Sequence, residues 1–180
     1  MESLRGRLLI SAGGLFDANF RHTVVLIGAH DREGAVGVVL NRPLERTVSE
    51  TVPLLAELTP QGERLFNGGP VATDEAVLLV DVADAAVLDV PVFDTVGFLT
   101  GDVSPTIRTG LRHARVFLGH AGWGAGQLES ELAAHAWITT HPHLDDVFTS
   151  EPGTLWRRVL ERMGPPWAAV ARIPFDPSMN

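Results

Sequence analysis

The chain has 180 residues, a formal net charge of −8 and a pI near 5.3. It can bury one sizeable core, and its overall field opposes general binding to nucleic acid or to an anionic membrane. Cysteine, lysine and tyrosine are all absent. That excludes disulfides, thiolate metal sites, thiol nucleophiles, Schiff-base and P-loop lysines, and phenolic acids.

All 14 basic residues are arginines, a bias that reads first as genomic composition. With 45% hydrophobic and 20% charged residues the chain belongs with globular proteins. Residues 8–12 are too short for a signal-peptide core, and nothing approaches the roughly 20 apolar residues that span a bilayer. The expectation is a soluble cytoplasmic protein with no membrane association. It would form one domain over residues 1–180, with an ordered core at about 6–173.

In chain order, residues 7–12 read as a strand, broken by Gly13-Gly14, with a turn at residues 16–20. Residues 22–29 form a β-branched run without alternation, which predicts a strand buried on both faces. Asp31-Arg32-Glu33-Gly34 connects it as a hairpin to a strand over 35–40, which Asn41-Arg42-Pro43 ends. Thr47-Val48-Ser49-Glu50 matches a capping box and opens a helix towards Leu58, with Pro53 confining its regular part. Residues 59–62 are a loop, and Asn67-Gly68-Gly69-Pro70-Val71 is a tight glycine-dependent corner.

Residues 76–82 predict a strand, 81–92 an exposed acidic connection, and 96–100 another strand. Ser104-Pro105 caps a helix through Arg112. Residues 115–118 are a strand that breaks into glycines at 119, 122, 124 and 126, after which a helix runs over about 125–134. A strand at 137–140, a turn at 145–148, a helix from Ser150 to Gly164 and an edge strand at 168–173 complete the chain. Strands dominate and βα units do not repeat. The fold class is therefore α+β, a mostly antiparallel or mixed sheet with about four helices.

Read together, these blocks carry a resemblance. Residues 16–26, residues 34–43, Asn67-Gly68-Gly69-Pro70-Val71, residues 118–132 and Trp156 resemble, in order, the signature blocks of the bacterial AlgH/YqgE family. The chain departs from that pattern at Ala12-Gly13, Ala18, His120 and His135. The resemblance implies an α+β fold of coiled, bifurcated sheets. It carries over no catalytic residues, and the transcriptional-regulator label given to some members has no DNA-binding motif behind it.

Candidate chemistry centres on three segments. Gly122-Trp123-Gly124-Ala125-Gly126, with His120 and Gln127, precedes a helix N-terminus where free amides favour an anion. The plainer reading is that these glycines let Trp123 turn inward and the backbone pass close to a neighbouring strand. Asn67, Gly68 and Gly69 could form a second anion nest, or simply a turn. Asn41 and Arg42 follow a buried strand, and Arg42 could grip a carboxylate or phosphate, or pair with Glu129.

His141, His143, Asp145 and Asp146 have ligand types in close sequence, but Pro142 disfavours a regular strand there. Glu131 and His135 have i,i+4 spacing, which suits a hydrogen-bonded pair. His22, His30 and His120 could act as bases beside Ser11, Thr23 or Asp17, although no catalytic frame is present. The expectation is a non-enzymatic binding or regulatory protein with no cofactor and no metal. Its partner would be another protein or a small anionic ligand rather than DNA. The alternative is a small-molecule binder or enzyme using a cleft between the three segments.

Overall fold

In the computed structural model, which describes residues 2–12 and 19–175, the apolar runs become strands of one ten-stranded sheet. They are β1 (Leu8–Ser11), β2 (Val24–Asp31), β3 (Gly34–Val39), β4 (Pro43–Thr47), β5 (Arg64–Asn67), β6 (Val71–Val82), β7 (Val90–Phe93), β8 (Val96–Leu99), β9 (Leu111–Gly124) and β10 (Trp137–Thr140). The helices are α1 (Val48–Thr51), α2 (Pro105–Gly110), α3 (Gln127–Ala133), α4 (Leu144–Val147), α5 (Leu155–Arg162) and α6 (Trp167–Val170). The strand order is β10-β1-β2-β3-β9-β6-β8-β7, with β4 and β5 off this path. Pairings are antiparallel except for β5 against β9. No described helix is long and apolar enough to cross a membrane.

The sheet forks at β9. On one edge, its Phe117 and Leu118 pair with Phe66 and Asn67, and further along Ala121 to Gly124 pair with β3. On the other edge it pairs with β6, starting at Val71 opposite His120. The chain therefore leaves one edge of β9 at Asn67 and re-enters on the other edge at Val71, crossing the face of β9 in three residues. Gly68 bridges the fork, donating its N–H to Leu118 O (2.8 Å) while its carbonyl accepts from Val39 N (2.8 Å).

Only glycine fits that crossing. A Cβ on Gly69 (φ +150°) would lie 2.2 Å from the His120 carbonyl carbon, and one on Gly119 (φ +71°) would lie 2.6 Å from Gly69 O. Both contacts are against backbone, which has nowhere to move.

Side-chain alternation distributes the strands over three apolar clusters. Leu8, Ile10, Val24, Leu26 and Phe117 face a core covered by Leu155, Trp156, Val159 and Leu160 of α5. Leu9, Val25, Ile27, Ala121 and Trp123 face the opposite way, against Leu128 of α3 and Trp137. Leu78, Val80, Val116 and Leu118 pack with Val48, Leu58 and Ile107. The β2 run is thus buried on both faces, which is why its sequence does not alternate.

Helix α3 is tied down by one carboxylate. Glu131 accepts from Trp123 Nε1 (2.9 Å), Trp137 Nε1 (2.7 Å) and Gln127 Nε2 (2.9 Å), and the two indoles meet edge-on at 5.9 Å. Both tryptophans thereby bury their rings with their N–H groups satisfied.

Several sequence expectations need correction. The glycines at 119, 122 and 124 do not interrupt the strand: β9 continues to Gly124, because they serve its crossing and pairing. The capping box at Thr47 and Glu50 forms, but α1 is one turn long and Pro53 starts a 3₁₀ segment instead. Residues 81–92 are not an exposed loop. Asp81, Val82, Leu88 and Val92 are buried, and β7 begins within this span. β4 and β5 are short strands with no period-2 signal, and residues 168–173 are helix and turn rather than an edge strand. The expected break at Gly13-Gly14 and most of the turn at 16–20 lie outside the described residues.

Two substitutions test this architecture. Gly69→Ala is expected to destabilise by about 3 kcal/mol or more, since the backbone it meets is fixed. Gly126→Ala, at φ +74° with nothing within 4 Å, should lose only about 1 kcal/mol. Urea denaturation distinguishes them, and equal losses would contradict the crossing argument. Glu131→Ala is expected to lose about 2 kcal/mol by the same measurement, with Glu131→Gln intermediate because it keeps an acceptor. An unchanged midpoint would show that the indoles do not depend on the carboxylate.

Candidate functional site

Immediately after β3 the chain places Asn41 and Arg42 back to back. Asn41 is buried and works for the backbone: Oδ1 accepts from Val24 N (3.0 Å) and Nδ2 donates to His22 O (2.8 Å). This clamp holds His22 at φ +49°, a left-handed conformation uncommon outside glycine. The imidazole of His22 lies flat on the Trp156 indole, with centroids 3.7 Å apart and a 10° interplanar angle. Trp156 is itself fixed, its Nε1 donating to Ser11 O at 2.9 Å. A strained residue stacked on an anchored indole is a conformation that the surrounding structure must over-determine.

Arg42 points the other way, donating through Nη2 to the Arg21 carbonyl. It lines a cavity of about 500 Å³ together with His22, Trp156, Arg157, Arg172 and Phe175. It also borders a smaller niche of about 80 Å³ with Asn19, Asn67 and Gly69. No aspartate or glutamate is among the described residues lining the larger cavity.

The electrostatics follow from that lining. Burial lowers the basicity of both Arg42 and His22. For His22 the charges of Arg42, Arg21 and Arg157 push further in the same direction. Burial first and the surrounding guanidiniums second disfavour the charged form of the His22 ring.

The ten residues proposed from sequence divide between places. Asn41, Arg42, Asn67 and Gly69 gather around the cavity and its niche. The amide nest at the glycine corner is already satisfied, since Gly68 N bonds Leu118 O and Gly69 N bonds Asn67 Oδ1 at 3.1 Å. His120 borders a separate apolar groove of about 230 Å³ with Val36, Val77 and Phe98. Trp123 is 5% exposed and packed as an anchor. Gly124 N donates to Gln127 Oε1 at 3.0 Å, and Gly126 is the left-handed residue before α3, so that helix start is closed by its own side chain.

The other pairings also resolve differently from their sequence spacing. Glu129 accepts from buried His30 (2.9 Å) rather than from Arg42, and His30 Nδ1 accepts from Leu4 N (3.0 Å). Those two contacts set the His30 tautomer, with the proton on Nε2. Glu131 holds two indoles and Gln127, and none of its described hydrogen bonds goes to His135. Ser11 Oγ accepts from Thr23 N and Thr23 Oγ1 donates to Phe20 O, so both hydroxyls serve the strand pair. Asp146 is gripped at 2.8 Å by both terminal nitrogens of Arg162 and receives His143 N–H, which makes it a structural carboxylate. Among the described residues no group of three His, Cys, Asp or Glu could hold a metal ion.

Sequence reasoning missed Trp156 as the platform and Arg157, Arg172 and Phe175 as walls. Arg157 is one of three arginines on α5, Arg172 falls in the span expected as an edge strand, and Phe175 lies beyond it. No local pattern marks them.

The sign of the His22 effect is testable. Its folded-state value lies below that of the unfolded chain, so the unfolded chain takes up the proton first. Its contribution is therefore most favourable above about pH 6.5 and diminishes as the pH falls towards the folded value. NMR titration of the His22 ring is expected to show a lowered midpoint that rises in Arg42→Gln, with burial accounting for the remainder. An unchanged midpoint in that variant would mean that the guanidinium field does not reach the ring.

The comparisons agree with this architecture. A family model described as AlgH-like matches residues 8–168. A UPF0301 protein of Streptomyces avermitilis is 40% identical over 187 residues, spanning 100% of this chain and 97% of that protein. A UPF0301 protein of Chlorobaculum tepidum is 39% identical over 184 residues, spanning 97% and 95%. A crystal structure of a Corynebacterium diphtheriae protein superposes with a TM-score of 0.86 at 24% identity, over 95% of this chain and 92% of that one, a likeness of fold. The solution structure of the AlgH protein from Pseudomonas aeruginosa gives a TM-score of 0.70 at 28% identity, over 94% of each chain. By both the span of the family match and the identity to full-length relatives, this chain belongs to the AlgH-like family.

Proposed function

We propose that this protein is a non-enzymatic binding protein that takes a small anionic ligand, a carboxylate or phosphate, into the cavity lined by His22, Arg42, Arg157 and Arg172. One observation carries the reading: three arginines converge on one cavity with no carboxylate among the described lining residues, in a chain whose net charge is −8. In an acidic protein the default partner of a guanidinium is a nearby acid, and here the described lining supplies none. The guanidinium fork of Arg42 suits bidentate recognition of either anion.

Two charge-assisted contacts at about 1.5–3 kcal/mol each correspond to a dissociation constant between about 6 mM and about 40 μM. Among the described lining residues the hydroxyl is that of Thr154, which donates to Glu151 O at 3.1 Å, and His22 is stacked on Trp156, an arrangement suited to binding rather than to activating a nucleophile.

Calorimetry at low ionic strength with inorganic phosphate and acetate tests the reading. Wild type is expected to bind, and Arg42→Gln and Arg157→Gln each to weaken binding about tenfold, one charge-assisted contact apiece. Arg32→Gln, on the exposed β2–β3 hairpin, should bind like wild type. No heat with either anion at millimolar concentrations, or unchanged binding in Arg42→Gln, would overturn the proposal.

A further inference from the structure

After α6 the chain turns, with Ile173 N donating to Val170 O at 3.0 Å, and residues 172–175 pass along the wall of the arginine cavity. The Phe175 ring sits 5.5 Å from the Arg42 guanidinium carbon and 5.7 Å from that of Arg21. It meets the His22 ring edge-on at 5.4 Å and 78°. Arg21 Nη1 also donates to the Phe175 carbonyl at 3.0 Å. An aromatic ring with a neighbouring carbonyl oxygen is therefore already seated between two guanidiniums and an imidazole backed by an indole.

The seat is well made but its occupant is loosely attached. Trp156 is 4% exposed, whereas Phe175 is 52% exposed and Ile173 38% exposed. Cation–π contacts at such exposed rings are weak and exchange readily for equivalent contacts to another ring.

We infer that residues 172–175 form a displaceable strap, and that the ligand of this cavity is an aromatic carboxylate whose ring takes the seat of Phe175 and whose carboxylate takes Arg42 and Arg157. The inference rests on the anion-binding reading above. It adds a ligand class and a competition. A small anion fits the cavity of about 500 Å³ beside the seated ring, whereas an aromatic anion gains its full contacts only when the strap lifts. The apparent affinity for the aromatic ligand is then the intrinsic affinity scaled by the fraction of molecules with the strap open.

Calorimetry on the full chain with two probes, acetate and benzoate, tests this in wild type, Phe175→Ala and Arg42→Gln. Acetate is expected to bind wild type and Phe175→Ala within about twofold, while benzoate binds Phe175→Ala about tenfold tighter than wild type, as for a strap open about a tenth of the time. Arg42→Gln should weaken both. Phe175 is half exposed, so its removal should leave the melting temperature close to wild type, and that measurement accompanies the titrations. Benzoate binding that is unchanged or weaker in Phe175→Ala, with acetate still bound, would make Phe175 a fixed wall and overturn the strap alone. Failure of both probes to bind any variant would overturn the carboxylate ligand class, and failure of inorganic phosphate as well would overturn the anion-binding reading beneath it.

Discussion

The structure depends on one steric constraint, the passage of the chain across the face of β9 between Asn67 and Val71. Gly69 and Gly119 lie backbone to backbone at that point, each where a Cβ would meet main-chain atoms well inside contact distance. Because the crossing is so close, β5 and β6 can occupy opposite edges of the same strand. The sheet then forks, one branch running through β3 to β10 and the other through β6 to β7. Three apolar clusters follow from the fork, since a branched sheet has more faces to cover than a flat one.

The same fork positions the candidate site. Val39 ends β3 by donating to Gly68 O, and Arg42 accepts from Asn67 N through its carbonyl, so the backbone that bears Arg42 is sewn to the glycine corner. Asn41 then locks His22 in its left-handed conformation, and α5 brings Trp156 beneath the ring. The arginines meet because three separate elements are docked on this corner, not because they are near in sequence. In a chain of net negative charge, that convergence gathers three arginines with no carboxylate among the described lining residues.

Much of the fold was legible in the residues. The β2 run, hydrophobic without alternation, identified a strand covered on both faces, and the Thr47–Glu50 capping box formed as its spacing required. Trp123 as an inward anchor was also legible, as a large ring set between glycines, and it is buried. The extent of β9 was not. Glycine is depleted in strands on average, so four of them between residues 119 and 126 read as a break. The need for glycine at 119 depends on the backbone at Gly69, fifty residues earlier in the chain. β4, β5 and β7 escaped notice because a proline or a charged residue interrupts each of these short runs, whereas the equally short β1, β8 and β10 carry neither.

For the site, sequence singled out Asn41, Arg42, Asn67 and Gly69, which do gather, but joined to them a helix start that its own Gln127 closes. Residue types, their absences and their periodicities determined the α+β class, the family blocks and the chemistry that cannot occur without cysteine or lysine. Those properties are local or compositional. Which arginines share a cavity, which acid each histidine meets, and whether a tail phenylalanine rests in an arginine slot were decided by tertiary structure alone. Contacts such as Arg21 to Phe175, separated by 154 residues, are set by how elements dock, and no local spacing encodes docking.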